Sequence, residues 1–432
     1  MTLLSHNPFI SGNPVAPADF VNRQREARRL VTRICTGQSS AVIGEPRSGK
    51  TSLLHYVRQP DLYGEQATHI LFSYLDAQML GPRFAPPHFW EYVLQPVVNL
   101  SGTHAAQVRT AYAACQRETF GNFGLERLFA QLASAGYRLG LLLDEFDNLL
   151  ENAAFHQAEF FGGLRSLASR MPGLVLVLAS RQLPGALNQQ TQEFNRSGSP
   201  YFNFVDEIIL APFSKRATED LLARGGDRFT AADHAFILRL ADGHPYFLQV
   251  VAGELWDLSE ETDLTPVERH RQAGEALYTQ TQKTLADTWR LWTPEMRKAF
   301  AVIALDQMPR LLGAKEFYLR PLRQKLADYG LEVRELKKRG YIRENAAAES
   351  EWSITGEVML WFVADALLQA LRAQDDLGTL VQAQQWAGLF TKEEIALVGA
   401  ALKSVSKLVT GGVETFIKAA SEGWGKGVSG KP

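Results

Sequence analysis

Short apolar runs punctuate the first half of the chain and disappear from the second. Ser40–Ile43, His69–Leu75, Arg138–Leu143, Leu174–Ala179 and Glu207–Leu210 are each bounded by turn residues. Helical spacing fills the intervals, at Val21–Thr36 behind a capping Asp19, at Phe89–Ser101 and at Leu125–Ala135. Alternation of this kind predicts buried strands in a parallel sheet with helices on both faces. After Pro212 the pattern turns helical: Ser214–Ala223, Ala231–Ala241, Pro245–Leu258 and Val267–Trp289.

A further unit starts near Thr293. Helical segments Glu295–Leu305, Tyr318–Tyr329 and Glu332–Arg339 precede two short strands, Tyr341–Glu344 and Glu351–Ile354. That is the outline of a winged helix, and Gly340 suits the cap of its last helix. Towards the end, Thr391 caps a stripe of Ile395, Val398, Leu402, Val405 and Val409, one helical face. Gly411-Gly412 breaks it, and Val413, Phe416, Ile417 and Ala420 form a second stripe.

Composition narrows the picture. The 432 residues, 46% hydrophobic and 21% charged, suit a globular protein of several cores. A net charge of −2 gives no global pull towards nucleic acid or membrane, so any basic surface is local. Cys35 and Cys115 have no CxxC and no His at ligand spacing, which excludes a disulfide framework. Met1–Pro14 lacks a signal-peptide pattern, and no apolar run approaches the ~20 residues of a membrane span. A cytoplasmic protein is expected.

The chemistry concentrates after the first apolar run. Gly44-Glu45-Pro46-Arg47-Ser48-Gly49-Lys50-Thr51 matches GxxxxGK[ST] between a predicted strand and a predicted helix that continues with Ser52. Such a loop cradles phosphates with backbone N–H groups and a helix N-terminus. Lys50 meets the β- and γ-phosphates, and the Thr51 hydroxyl binds Mg²⁺. At the end of the third run, Asp144 is the second expected metal ligand and Glu145 the general base. Asp147 adds negative charge near the metal. Arg181, ending the fourth run, is placed to sense the γ-phosphate.

These residues carry a resemblance. The chain is similar to the STAND branch of AAA-type P-loop ATPases. Phe20-Val21-Asn22-Arg23-Gln24-Arg25-Glu26 resembles the FVGRxxE element, with Asn22 where the family has Gly. Asp144-Glu145-Phe146-Asp147 resembles the family's Walker B form. Ser180-Arg181 resembles its sensor strand, and Gly243-His244-Pro245 its lid signature. The resemblance implies that Val21 and Pro245 meet the nucleotide, that ATP is preferred, and that turnover is slow and linked to nucleotide-dependent homo-oligomers. Arg196 stands about where AAA proteins carry an arginine finger. The expected fold is an α/β P-loop NTPase of the ASCE/AAA-like type. Its parts are an ATPase core (1–213), a helical lid (214–284), a winged helix (285–366) and an amphipathic helical tail (367–432).

Three functions fit this reading. The first is a STAND-type switch acting in signalling or defence. The second is a DNA-binding ATPase of initiator or regulator type, using Arg320, Arg323, Lys325, Arg334, Lys337, Lys338 and Arg339; Glu332 and Glu335 dilute that charge, and the reading favours the switch. The third is a non-catalytic scaffold. The tail, with Lys403, Lys407, Lys418, Lys426, Lys431, Phe416 and Trp424, fits docking on the protein's own surface, a protein partner, or a peripheral membrane contact.

Overall fold

The computed structural model describes residues 6–192, 194, 198–312, 314, 317–372, 389–403 and 411–422. The chain divides into two compact units: residues 14–45 with 49–210, and residues 1–13 with 46–48 and 211–432.

The first unit is built on five parallel strands: β1 (Ser40–Ile43), β2 (Ile70–Asp76), β3 (Arg138–Asp144), β4 (Leu174–Ser180) and β5 (Asp206–Ile209). Their order is β2-β3-β4-β1-β5. Around them lie α1 (Gln24–Cys35), α2 (Lys50–Tyr56), α3 (Pro86–Val93), α4 (Gln95–Val98), α5 (Ala105–Arg117), α6 (Asn122–Ser134), α7 (Phe146–Glu151), α8 (Ala158–Arg170) and α9 (Pro184–Thr191). The period of two along the strands sorts two cores. Leu139, Leu141, Leu143, Leu174, Leu176 and Leu178 pack with Phe89, Phe129, Phe146 and Phe160. Leu142, Val175, Val177 and Ala179 face the other way, onto Leu30, Ile34, Leu53 and Leu54 of α1 and α2. Each fully buried Leu contributes about 2 kcal/mol. This continuous apolarity on both faces is why the runs are visible in the sequence.

The second unit is mainly helical. Its helices are α10 (Lys215–Leu222), α11 (Ala231–Ala241), α12 (Pro245–Leu258), α13 (Pro266–Leu291), α14 (Pro294–Leu312), α15 (Arg320–Gln324), α16 (Gly330–Lys338), α17 (Glu357–Arg372), α18 (Lys392–Lys403) and α19 (Val413–Glu422). The antiparallel pair β6 (Ile342–Glu344) and β7 (Trp352–Ile354) follows α16. Gly340 makes the turn between α16 and β6 with φ +81°, and a Cβ there would lie 2.2 Å from Pro212. The sequence segments 214–284, 285–366 and 367–432 all lie within this unit.

The described part of the tail docks on its own chain. α19 packs against α13, α14 and α17, burying Phe416, Ile417 and Ala420. The second apolar stripe is thus consumed internally, the first of the three dispositions expected for the tail. Glu394 of α18 is held by Lys298 at 2.8 Å and Lys325 at 2.6 Å. Val405, Val409, Lys407, Trp424, Lys426 and Lys431 lie outside the described residues. Among the described residues no helix is long and apolar enough to cross a membrane.

A buried ionic cluster ties α11 to α13. Asp233 closes a capping box with Thr230, accepting its N–H at 2.8 Å and its hydroxyl at 2.7 Å. His270 Nε2 lies 2.8 Å from the same carboxylate, and Arg269 at 3.3 Å. His270 also stacks on Phe236 at 4.3 Å. Burial alone would raise the Asp233 pKa. The hydrogen bonds from His270 and Thr230, with the Arg269 charge, outweigh it and bring the pKa to about 2. The native carboxylate is therefore favoured, and its contribution exists above the ordinary value of 3.8 and is lost as pH falls towards 2. Asp233→Ala is expected to cost roughly 3 kcal/mol in urea denaturation at neutral pH. The gap to wild type should close as the titration runs from pH 4 down to pH 2.

Candidate nucleotide-binding site

Strand order brings the candidate residues together. β1 pairs with β4, and β4 with β3. The loops after β1, β3 and β4 therefore leave the same carboxyl edge of a parallel sheet, where such folds bind ligands. A bond of 3.2 Å from the Gly44 N–H to the Ser180 carbonyl joins two of these ends.

The loop after β1 turns into α2 at Gly49, whose φ of +94° a β-carbon would strain. Lys50 is 4% exposed. Its ammonium donates to the carbonyls of Gly44 (2.9 Å) and Glu45 (3.2 Å). Burial lowers its pKa, while Glu145, Asp147, Asp144 and Glu45 pull it back up. Ser48 is buried, and the Ser52 hydroxyl accepts the Val15 N–H at 3.2 Å. Arg47 bonds the Gly12 carbonyl and lies 5.2 Å over the Tyr246 ring, all within the second unit.

Thr51 connects the loop to the acidic strand end. Its hydroxyl donates to Asp144 Oδ2 at 2.7 Å. Tyr74 donates to the same oxygen at 2.9 Å, and the Glu145 N–H donates to Oδ1 at 2.9 Å. Tyr74 is not among the residues that sequence alone singles out. Nothing in a β-strand's spacing shows that its hydroxyl crosses to the next strand. Burial first, then the Asp144 charge, push the Tyr74 phenol above its ordinary pKa.

Glu145 caps α7 in a left-handed conformation, φ +47°. Its Oε2 is buried with no hydrogen-bond partner and faces Arg181 Nε at 3.6 Å. Burial raises the Glu145 pKa, and Lys50 and Arg181 oppose the shift. Arg181 thus rests against the expected general base. Asp147 adds its charge to the surroundings of Lys50 and Glu145 and also makes a structural contact. Oδ1 accepts the Ser180 hydroxyl at 3.0 Å and Oδ2 the Arg181 N–H at 2.9 Å. It fastens the end of β4 to α7.

The lead-in element also folds onto this unit. Phe20 stacks on Tyr56 at 4.3 Å, and Val21 beside it is half-buried. Asn22 takes φ +62°, a conformation that Asn tolerates, so the replacement of the family's Gly is accommodated. Arg23 is buried, and that burial lowers its pKa to about 10. Pro245 opens α12 in the second unit. Arg196 lies outside the described residues.

The donor set fits magnesium. The Thr51 hydroxyl and Asp144 carboxylate are hard oxygens, and Mg²⁺ is usually held by one or two such groups plus substrate phosphates. Among the described residues no group of three or more His, Cys, Asp or Glu side chains would hold a metal unaided.

No protein-family model and no curated protein matches the chain. Solved structures do. The Walker-type ATPase paby2304 of Pyrococcus abyssi matches with TM-score 0.50 at 18% identity, over 80% of this chain and 96% of that one. This is a P-loop NTPase fold. The ORC2 protein of Aeropyrum pernix, solved as ADPNP–ADP complexes, gives TM-score 0.48 at 14% identity, over 84% of this chain and 96% of that one.

Asp147→Ala would leave the Arg181 N–H without its acceptor and the Ser180 hydroxyl with the Gln182 carbonyl alone. It is expected to cost roughly 1–3 kcal/mol in chemical denaturation, more than the same change at exposed Asp61.

Proposed function

We propose that this chain binds Mg·ATP at Gly44–Thr51 and hydrolyses it. The observation that carries the reading is the Thr51–Asp144 hydrogen bond of 2.7 Å, which joins the phosphate loop to the acidic strand end beside a buried Glu145 oxygen that makes no hydrogen bond. Lys50 exchanges the Gly44 and Glu45 carbonyls for phosphate oxygens. Thr51 and Asp144 would hold the metal, which would supply positive charge against the transferring phosphoryl group. Glu145 accepts the proton of the water that attacks the γ-phosphorus as the bond to ADP breaks. Arg181, resting on Glu145, is the group that responds to the γ-phosphate. The likeness in fold to the Walker-type ATPase of Pyrococcus abyssi supports this reading.

For the output, duplex DNA binding has a specific observation in its favour. The winged-helix arrangement carries Arg334 and Lys338 exposed on α16 and Arg343 exposed on β6, a disposition suited to phosphate contact. Four other cations of this region are held internally: Arg323 by Asp306 and Glu349, Lys325 by Glu394, Lys337 by Glu344 and Arg339 by Glu335. The second reading, a STAND-type assembly switch, draws on the left-handed Asn22 at the family's Gly position.

Lys50→Ala should abolish ATP binding in calorimetry. Glu145→Gln should keep binding and lose ~100-fold or more in turnover. Equal turnover in the Gln variant removes Glu145 as the base. For the output, Arg334→Ala with Lys338→Ala should reduce the slope of log K against log salt by about two in duplex binding. No duplex binding by wild type at low salt, with a size change by light scattering between ADP and a non-hydrolysable ATP analogue, would instead favour the switch.

A further inference from the structure

The Asp144 carboxylate is held at three points, and only two of them belong to the phosphate loop and the acidic motif. The third is Tyr74. It stands on β2, in register with Leu142 of β3. Leu142 and Asp144 share a face of β3, so Tyr74 reaches Asp144 along the diagonal between neighbouring strands. Its ring is fixed from the α2 side. His55 meets it edge-on at 5.1 Å, and the Arg58 guanidinium lies 5.6 Å from its centroid. The phenol therefore has little freedom to leave Oδ2.

We infer that Tyr74 is a positioning residue for the metal-bearing carboxylate: its hydroxyl, 2.9 Å from Asp144 Oδ2, fixes the plane in which Asp144 and Thr51 present their oxygens to a divalent cation. The inference rests on the Mg·ATP reading above. The Glu145 N–H holds Oδ1 and the Thr51 hydroxyl holds Oδ2, but the Thr51 oxygen is itself an expected metal ligand. Tyr74 is the partner of Oδ2 that the metal would not claim, and it adds no charge. Outer partners of metal ligands commonly set metal affinity by 10–100-fold.

The test uses the full chain and Mn²⁺ as the probe. Free Mn²⁺ is counted by electron paramagnetic resonance in the presence of a non-hydrolysable ATP analogue, for wild type and Tyr74→Phe. Analogue affinity is measured separately in EDTA. The expected result is a Mn²⁺ Kd about 10-fold weaker in Tyr74→Phe, with metal-free analogue affinity within about 2-fold of wild type. An unchanged Mn²⁺ Kd overturns the inference. So does a metal-free affinity that falls in step with the Mn²⁺ affinity, since Tyr74 would then be supporting the loop rather than the carboxylate. Wild type that binds no analogue at all would overturn the Mg·ATP reading itself, and Lys50→Ala marks that baseline.

Discussion

The insertion of β4 between β1 and β3 is the constraint on which the candidate site depends. Because all five strands run parallel, their carboxyl ends share one edge, and the order decides which ends are close. The phosphate loop and the acidic strand end are neighbours but one, with Ser180 and Arg181 between them. Register matters as much as order. Asp144 lies on the Leu142 face, towards α2, and a slip of one residue would turn it into the opposite core.

Within this frame the charges are arranged to be satisfied before any ligand arrives. Lys50 has two carbonyls, Asp144 has three donors, and Asp147 has two. The ion pair of Glu145 and Arg181 differs: the buried Glu145 Oε2 and Arg181 Nε face each other at 3.6 Å without a hydrogen bond. A strained φ and a raised pKa both fall on Glu145. Both are features expected of a group held for chemistry rather than for stability.

Much of this is legible in the sequence, for local reasons. The five strands announce themselves as apolar runs because both faces are buried. The helices α10 to α13 are readable from spacing. The phosphate loop is a contiguous motif. What stays hidden depends on pairing across strands or elements. Tyr74 reads as an ordinary strand aromatic until β2 is set beside β3. Asp147 reads as one more acid in a run until β4 returns to it. α5 escapes notice because its Ala-rich face buries only Ala105, Val108, Tyr112 and Cys115. The second tail stripe can be read as docking on its own chain, but its partners, on α13 and α14, lie too far back for sequence to name them.

That last arrangement bears on how the protein is made. The strands of the first unit all come from the first half of the chain, and this unit can close once that half has left the ribosome. The second unit cannot. Phe9 packs on Phe229 and Trp256, and α13 waits for α19, whose last residue is Glu422. At ~5–20 residues per second, the roughly 200 residues that follow the sheet take on the order of ten to forty seconds to synthesise. From the synthesis of α13 and α14 until α19 emerges, the apolar faces awaiting α19 are uncovered, and chaperone capture or self-association competes with their closure.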